Sequence, residues 1–324
     1  MIFPEFISKG DTIGICAPSA GVGRKLAEFD KSLETLCKQG FKTLETESVR
    51  VNAIRSCSGK QRAEEFRSLL LNEDVKVVMC AAGGDFLIEM WPYLDEEIIR
   101  NHPKWVMGYS DPTTLLYYMT TKLDIATLYG FNAGGYDVGI RYQHVKNNLQ
   151  LLQGKTIVQK SFSKHEGPWD DENPVVGFTR KTIWKSDKDF KVQGRFIGGC
   201  IYALKDVFGT SLDGTKAFID KYKEDGIIWY FDNYALDSDT FYRTLVQMKM
   251  IGAFEGCKAV ILGRVLFPKE VFMSYEGALK EVLGDIPFVT GADVGHVHPS
   301  MTLINGAIGT LEVKDGKGSI TFEL

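Results

Sequence analysis

An α/β protein of two domains is what this chain predicts: an N-terminal doubly wound, mainly parallel sheet, then a C-terminal mixed α/β domain with antiparallel strands. Three observations carry the expectation. Between Thr12 and Tyr129, short β-branched apolar runs alternate with stretches whose apolar residues recur at helical spacing, the rhythm of βαβ units. The C-terminal end closes on alternating segments near Ala307–Val313 and Ser319–Leu324, which read as antiparallel strands. With 324 residues, 44% of them hydrophobic, the chain is longer than one core usually holds.

In the first half the strands are expected at Thr12–Ala17, Lys42–Thr46, Val75–Ala81, Trp105–Tyr109 and Ala126–Tyr129, since each is a short apolar run without a helical period. Helices are expected at Arg24–Gln39, Ser58–Leu71, Asp85–Tyr93 and Pro112–Leu123, each with one apolar face. Phe131–Gly135 reads as a loop, followed by a helix near Arg141–Leu152 and a polar tract through Lys164–Pro174. Strands and helices resume at Arg195–Gly199, Ile201–Phe208, Ile227–Phe231, Thr240–Ile251, Ala259–Leu262 and Phe288–Thr290. The resulting division is 1–150 for the N-terminal domain, 151–190 for a connecting and substrate-loop segment, and 191–324 for the C-terminal domain. No internal repeat or low-complexity segment is evident.

Composition excludes several classes. Net charge is −4, with 38 basic and 42 acidic residues interspersed, so no basic field exists to hold a phosphate backbone and nucleic acid is not expected as a partner. The opening residues, Met1-Ile-Phe-Pro-Glu-Phe, lack a positive region before an apolar run, and no stretch of about 18 apolar residues occurs. The chain therefore reads as soluble and cytoplasmic, without a membrane partner. Six cysteines at irregular spacing include no C-x-x-C pair, which points to free thiols in a reducing compartment. Cys80, at the end of its strand, is the thiol that could act as a nucleophile if an electropositive neighbour lowered its pKa.

The most informative stretch is Gly108-Tyr-Ser110-Asp111-Pro112. A buried-looking strand ends at a serine and a proline-started helix begins at once, so the hydroxyl faces solvent before the positive end of a helix dipole. The same residues also suit an ordinary N-cap. Two further turns, Pro18-Ser19-Ala20-Gly21 and Gly83-Gly84-Asp85, follow strands of the same predicted sheet, and ligands bind outside such carboxyl ends.

Only five histidines can serve as a base near neutral pH. His296 stands out because Gly291-Ala-Asp-Val-Gly295-His296-Val-His298-Pro299 follows a short apolar strand in a loop at the sheet's mouth; a loop histidine bonded to backbone is the plainer alternative. A metal site from Asp293, His296 and His298 is disfavoured, since imidazoles two residues apart on extended chain point to opposite sides. A serine–histidine pair needs a carboxylate, and Asp232, ending the apolar run Ile227–Phe231, is placed to supply it or to cap a turn.

Taken together, Gly108-Tyr-Ser110-Asp111, the strand-ending Asp232 before the Arg243-Thr-Leu-Val-Gln247 helix, and Gly295-His296 resemble the LD-carboxypeptidase family of serine peptidases. That family includes murein tetrapeptide carboxypeptidases and microcin C self-immunity peptidases. Gly10-Asp11-Thr12-Ile13, Ala17-Pro18-Ser19, Ala82-Gly83-Gly84-Asp85 before Trp91-Pro92-Tyr93-Leu94-Asp95, and Gly194-Arg195-Phe196-Ile197-Gly198-Gly199 extend the likeness along the chain. The resemblance implies a triad of Ser110, Asp232 and His296, an oxyanion hole from the N–H groups of Gly84 and Asp111, and no metal or organic cofactor. Asp85 and Arg195 are carried over as substrate-binding positions. It implies a small peptide or peptidyl-nucleotide substrate and a homodimer.

One departure matters: the family has glutamate where this chain has Asp232, a side chain shorter by about 1.5 Å. A catalytically impaired homologue acting as a small-ligand binding protein is the alternative that this substitution keeps open. The tract Ser161–Trp184, with Trp169-Asp170-Asp171, resembles the microcin-immunity branch, and Trp184 is its candidate for stacking on a substrate nucleobase or, alternatively, a packing residue.

Overall fold

In the computed structural model, which describes residues 1–167 and 177–324, the chain divides into two units, Met1–Lys155 and Thr156–Leu324. Trp169-Asp170-Asp171 lie outside the described residues.

The apolar runs of the first unit form β1 (Thr12–Cys16), β2 (Lys42–Glu45), β3 (Val75–Cys80), β4 (Trp105–Gly108) and β5 (Thr127–Tyr129). They pair in parallel in the order β5-β4-β3-β1-β2. β3 and β4 are almost wholly buried, which is why they read as continuous apolar runs. The helices are α1 (Leu26–Lys38), α2 (Gly59–Leu71), α3 (Glu96–Asn101), α4 (Thr113–Leu123) and α5 (Gln143–Leu152). Between them, α2 packs on β1 and β3, and α4 on β4 and β5.

The helix expected over Asp85–Tyr93 is a 3₁₀ segment from Leu87 to Tyr93, with Pro92 inside it. Proline has no N–H to give an α-helical ladder, so the segment stays in short turns. The α-helix comes later, at α3, where Asp95 caps it by accepting from the Ile98 N–H at 3.1 Å.

The second unit contains β6 (Val158–Lys160), β7 (Lys164–Glu166), β8 (Phe178–Lys181), β9 (Phe190–Cys200), β10 (Ile227–Asp232), β11 (Cys257–Gly263), β12 (Phe288–Ala292), β13 (Leu303–Asn305), β14 (Ile308–Lys314) and β15 (Lys317–Phe322). Its main sheet runs β12-β11-β10-β9-β14-β15-β6. The first four strands are parallel; β14, β15 and β6 are added antiparallel. Asp315 and Gly316 both take positive φ, 51° and 72°, the turn that a two-residue hairpin between β14 and β15 demands. Residues of the expected connecting segment thus supply an edge strand, β6, of this sheet.

Helices of this unit are α6 (Ile201–Leu204), α7 (Thr215–Tyr222), α8 (Ser238–Met250) and α9 (Tyr275–Leu283). The helix expected over Ile201–Phe208 is confined to the single turn α6. Neither α7 nor α9 was predicted, although Ser274 caps α9 by accepting from the Gly277 N–H at 2.9 Å. Among the described residues no helix is long and apolar enough to cross a membrane.

Candidate active site

In the first unit, the junction of β4 and α4 makes a sharp turn. Ser110 has φ +70°, a left-handed conformation that costs a non-glycine residue about 1–2 kcal/mol. Its carbonyl accepts from the Thr113 N–H at 2.9 Å, and Pro112 opens the helix. The serine is half-buried rather than packed away. Gly83 lies directly beneath it: a Cβ there would sit 2.9 Å from Ser110 Cβ, so only glycine permits this approach. Gly84, at φ +148°, has no room for a side chain either, because Ser19 Oγ fills that space.

Asp111 has a role that the residue pattern did not disclose. Its Oδ2 accepts from Ser19 Oγ at 2.5 Å and from the Leu87 N–H at 2.9 Å. One carboxylate therefore ties the turn after β1, the turn after β3 and the elbow together. Burial raises its pKa from the ordinary aspartate value, against the pull of these hydrogen bonds. Asp85 is exposed beside the same turn. Cys80 is fully buried, and burial followed by the nearby Asp111 charge raises its thiol pKa, so the alternative of a Cys80 thiolate nucleophile is not supported.

In the second unit, three segments meet at the carboxyl ends of the parallel strands. Asp232 closes β10 in register with Cys200, the last residue of β9. His296 lies in the loop after β12. Asp232 is fully buried and holds this histidine twice: Oδ2 is 2.7 Å from His296 Nδ1, and Oδ1 accepts from the His296 backbone N–H at 3.2 Å. At this separation the two groups form an ion pair whenever the ring is protonated. The short acid reaches because backbone comes to meet it. Gly295 has φ +98°, and a Cβ there would overlap Asp232 Oδ1. Tyr234 adds a tilted ring contact to His296, with centroids 4.9 Å apart.

The loop carrying His296 is anchored by Arg264, a residue the sequence did not single out. This buried guanidinium donates to Asp293 Oδ1 at 2.5 Å and to the carbonyls of Val297 and Pro299 at 2.9 and 2.7 Å. The detectable signal was an arginine following the apolar run of β11, where an unpaired charge would be costly. Asp293, considered above as a metal ligand, is instead occupied by Arg264, Trp184 and the Phe162 N–H. The described His, Cys, Asp and Glu residues that cluster with metal-ligand spacing are Cys200, Asp232 and His296.

Two expected substrate-binding residues are corrected. Trp184 is 1% exposed, donates its indole N–H to Asp293 Oδ2 at 2.8 Å and lies against Gly318, so its ring is a packing element with no open face for a base. Arg195 pairs with Ile227, at the amino end of β10, whereas Asp232 is five residues further on, about 16 Å at about 3.3 Å per residue. There it binds Asp225 at 2.5 Å and the Gly306 carbonyl and stacks over Tyr222, which makes it a structural cation.

The architecture is that of an α/β protein of two units, with a serine elbow in one and a paired acid and histidine in the other. Comparison with known proteins gives the family. The LD-carboxypeptidase N-terminal domain matches residues 13–130 and the LD-carboxypeptidase C-terminal domain residues 193–311, and the chain belongs to the LD-carboxypeptidase family of serine peptidases. It is 29% identical to the microcin C7 self-immunity protein MccF of Escherichia coli, over 97% of this chain and 94% of that one. It is 24% identical to a Bacillus subtilis protein named "Probable murein peptide carboxypeptidase", over 94% of this chain and 89% of that one. The solved structure of MccF in complex with aspartyl sulfamoyl adenosine superposes with a TM-score of 0.82 at 25% identity, covering 100% of this chain and 99% of that chain.

Proposed function

We propose that the chain cleaves an amide bond near the carboxyl end of a small peptide or peptidyl-nucleotide, with Ser110 as nucleophile, His296 as base and Asp232 as the residue that orients it. The observation that carries this reading is the His296 ring nitrogen 2.7 Å from a fully buried carboxylate. In the proposed reaction, Ser110 Oγ attacks the scissile carbonyl while His296 takes its proton. The imidazolium then gives that proton to the leaving amine, and water, activated by the same ring, releases the acyl group from Ser110. The backbone N–H groups of Gly84 and Asp111 are assigned to the oxyanion, and exposed Asp85 to a polar group of the substrate.

Both substrate classes follow from the relatives: one named for murein peptide, one solved with an aminoacyl-sulfamoyl nucleoside. A cytoplasmic homodimer belongs to the same reading and is checked by light scattering and fractionation. The deciding experiment incubates the protein with a murein tetrapeptide and, separately, an aspartyl-adenylate analogue, and follows products by mass spectrometry. Ser110→Ala is expected to lower kcat by about 10⁴-fold or more while binding persists. Unchanged turnover in that variant would remove Ser110 from the mechanism, and saturable binding without turnover in the wild type would favour the ligand-binding homologue.

A further inference from the structure

Cys200 takes no part in the proposed hydrolysis, yet its thiol sits beside both the proposed base and the acid that orients it. Its sulfur, a carboxylate oxygen of Asp232 and a ring nitrogen of His296 all lie within 4.8 Å of one another. A tetrahedral ion bound at about 2.0 Å from nitrogen or oxygen and about 2.3 Å from sulfur sets its ligands about 3.3–3.6 Å apart, a spacing within the 4.8 Å that bounds this cluster. The donors come from rigid places. Cys200 and Asp232 are register partners on neighbouring parallel strands, and His296 is held through its own backbone N–H by the other Asp232 oxygen. Cys200 and Asp232 are buried, and the His296 side chain is 11% exposed.

A thiol ionises on binding such a cation, because the ion's own charge offsets the cost of a buried sulfur anion. One thiolate, one imidazole and one carboxylate favour a borderline-soft ion over magnesium or calcium.

We propose that Cys200, Asp232 and His296 form a binding site for a soft divalent cation of the zinc type, and that the ion, once bound, withholds the His296 imidazole from catalysis. Binding exchanges the thiol proton for the metal: one sulfur–metal bond forms, one S–H bond breaks, and one proton goes to solvent, with no change of oxidation state. Binding itself stands apart from the hydrolase reading, whereas blocked catalysis rests on it.

Chelator-treated full-length protein is titrated with Cd²⁺, following the ultraviolet thiolate-to-metal charge-transfer band and proton release. The expected result is a band saturating at one equivalent with one proton released, absent in Cys200→Ser and with affinity at least about tenfold lower in Asp232→Asn. A band that persists in Cys200→Ser, or none at one equivalent, would overturn the site. Circular dichroism establishes that each variant is folded, and Cys200→Ala replaces Cys200→Ser if the latter is not. In the peptide assay, Zn²⁺ is expected to inhibit, chelator to restore the rate, and Cys200→Ser to need at least about tenfold more Zn²⁺ relative to its own metal-free rate. A charge-transfer band together with Zn²⁺-insensitive hydrolysis sinks the blocking claim alone, and a band with no hydrolysis of any substrate leaves the site standing while removing the hydrolase reading.

Discussion

The elbow of the first unit and the acid end of β10 in the second position their key residues by opposite means. Ser110 is held in a conformation that is itself unfavourable, φ +70°, by the strand before it and the helix after it. His296 sits under no such strain; neighbours hold it, with Asp232 gripping both its ring and its backbone N–H while Arg264 anchors the loop on either side. The supporting carboxylates differ too. Asp111 ties three turns by hydrogen bonds to an uncharged hydroxyl and to backbone, and Asp232 holds a titratable ring. In the proposed reaction the contrast is between a nucleophile aimed by backbone strain and a base, which must gain and lose a proton, aimed by contacts that tolerate both states.

The largest effect that tests this contrast is expected from Gly295→Ala. The new methyl overlaps the Asp232 carboxylate and the residue must hold φ +98°, so stability falls by about 3–5 kcal/mol and whatever folds has a displaced acid and a kcat lower by about 10²-fold or more. Chemical denaturation and steady-state kinetics measure both. A variant with wild-type stability and turnover would show that Asp232 is not fixed by this close approach.

Next comes Trp184→Phe, which removes one donor from the buried Asp293 carboxylate. A loss of about 1–3 kcal/mol in stability with KM unchanged is expected. A raised KM at unchanged melting temperature would restore the stacking role that the burial of Trp184 argues against. A smaller effect of opposite sign should follow Ser110→Gly: activity is lost, yet release of the left-handed strain, less the extra entropy of an unfolded glycine, raises stability by about 0.5–1 kcal/mol. A melting temperature that falls would mean Ser110 is not strained.

Much of this was legible in the chain because buried parallel strands are continuous apolar runs, and the residue that ends such a run is marked by its polarity: Ser110 soon after β4, Asp232 on β10. What stayed hidden depends on partners far along the sequence. Trp184 reads equally as a stacking or packing ring until Asp293, 109 residues away, is seen accepting its N–H. Arg264 is one more arginine until its loop folds over it. Arg195 was misassigned although strand direction alone separates it from the site, since it enters β9 well before Cys200 ends it. The hairpin β7–β8 is short and mostly exposed, with a polar composition that carries no period of its own.

The subtlest test concerns pH and Asp111. Burial raises the pKa of this acid in the folded chain, so the fold favours its neutral form. Such a group contributes stability fully below its unfolded value, near 3.8, and loses that contribution as pH rises through the higher folded value. An amide in its place, as in Asp111→Asn, has no such transition. The difference in melting temperature between wild type and Asp111→Asn should therefore shrink or turn negative from about pH 3.8 upward and then level off, a trend measured by thermal denaturation across that range. The reverse slope would mean that the Ser19 and Leu87 donors outweigh desolvation and hold the carboxylate in its charged form. In that event the elbow would be secured by charge as well as by strain, and the contrast with the Asp232–His296 pair would narrow.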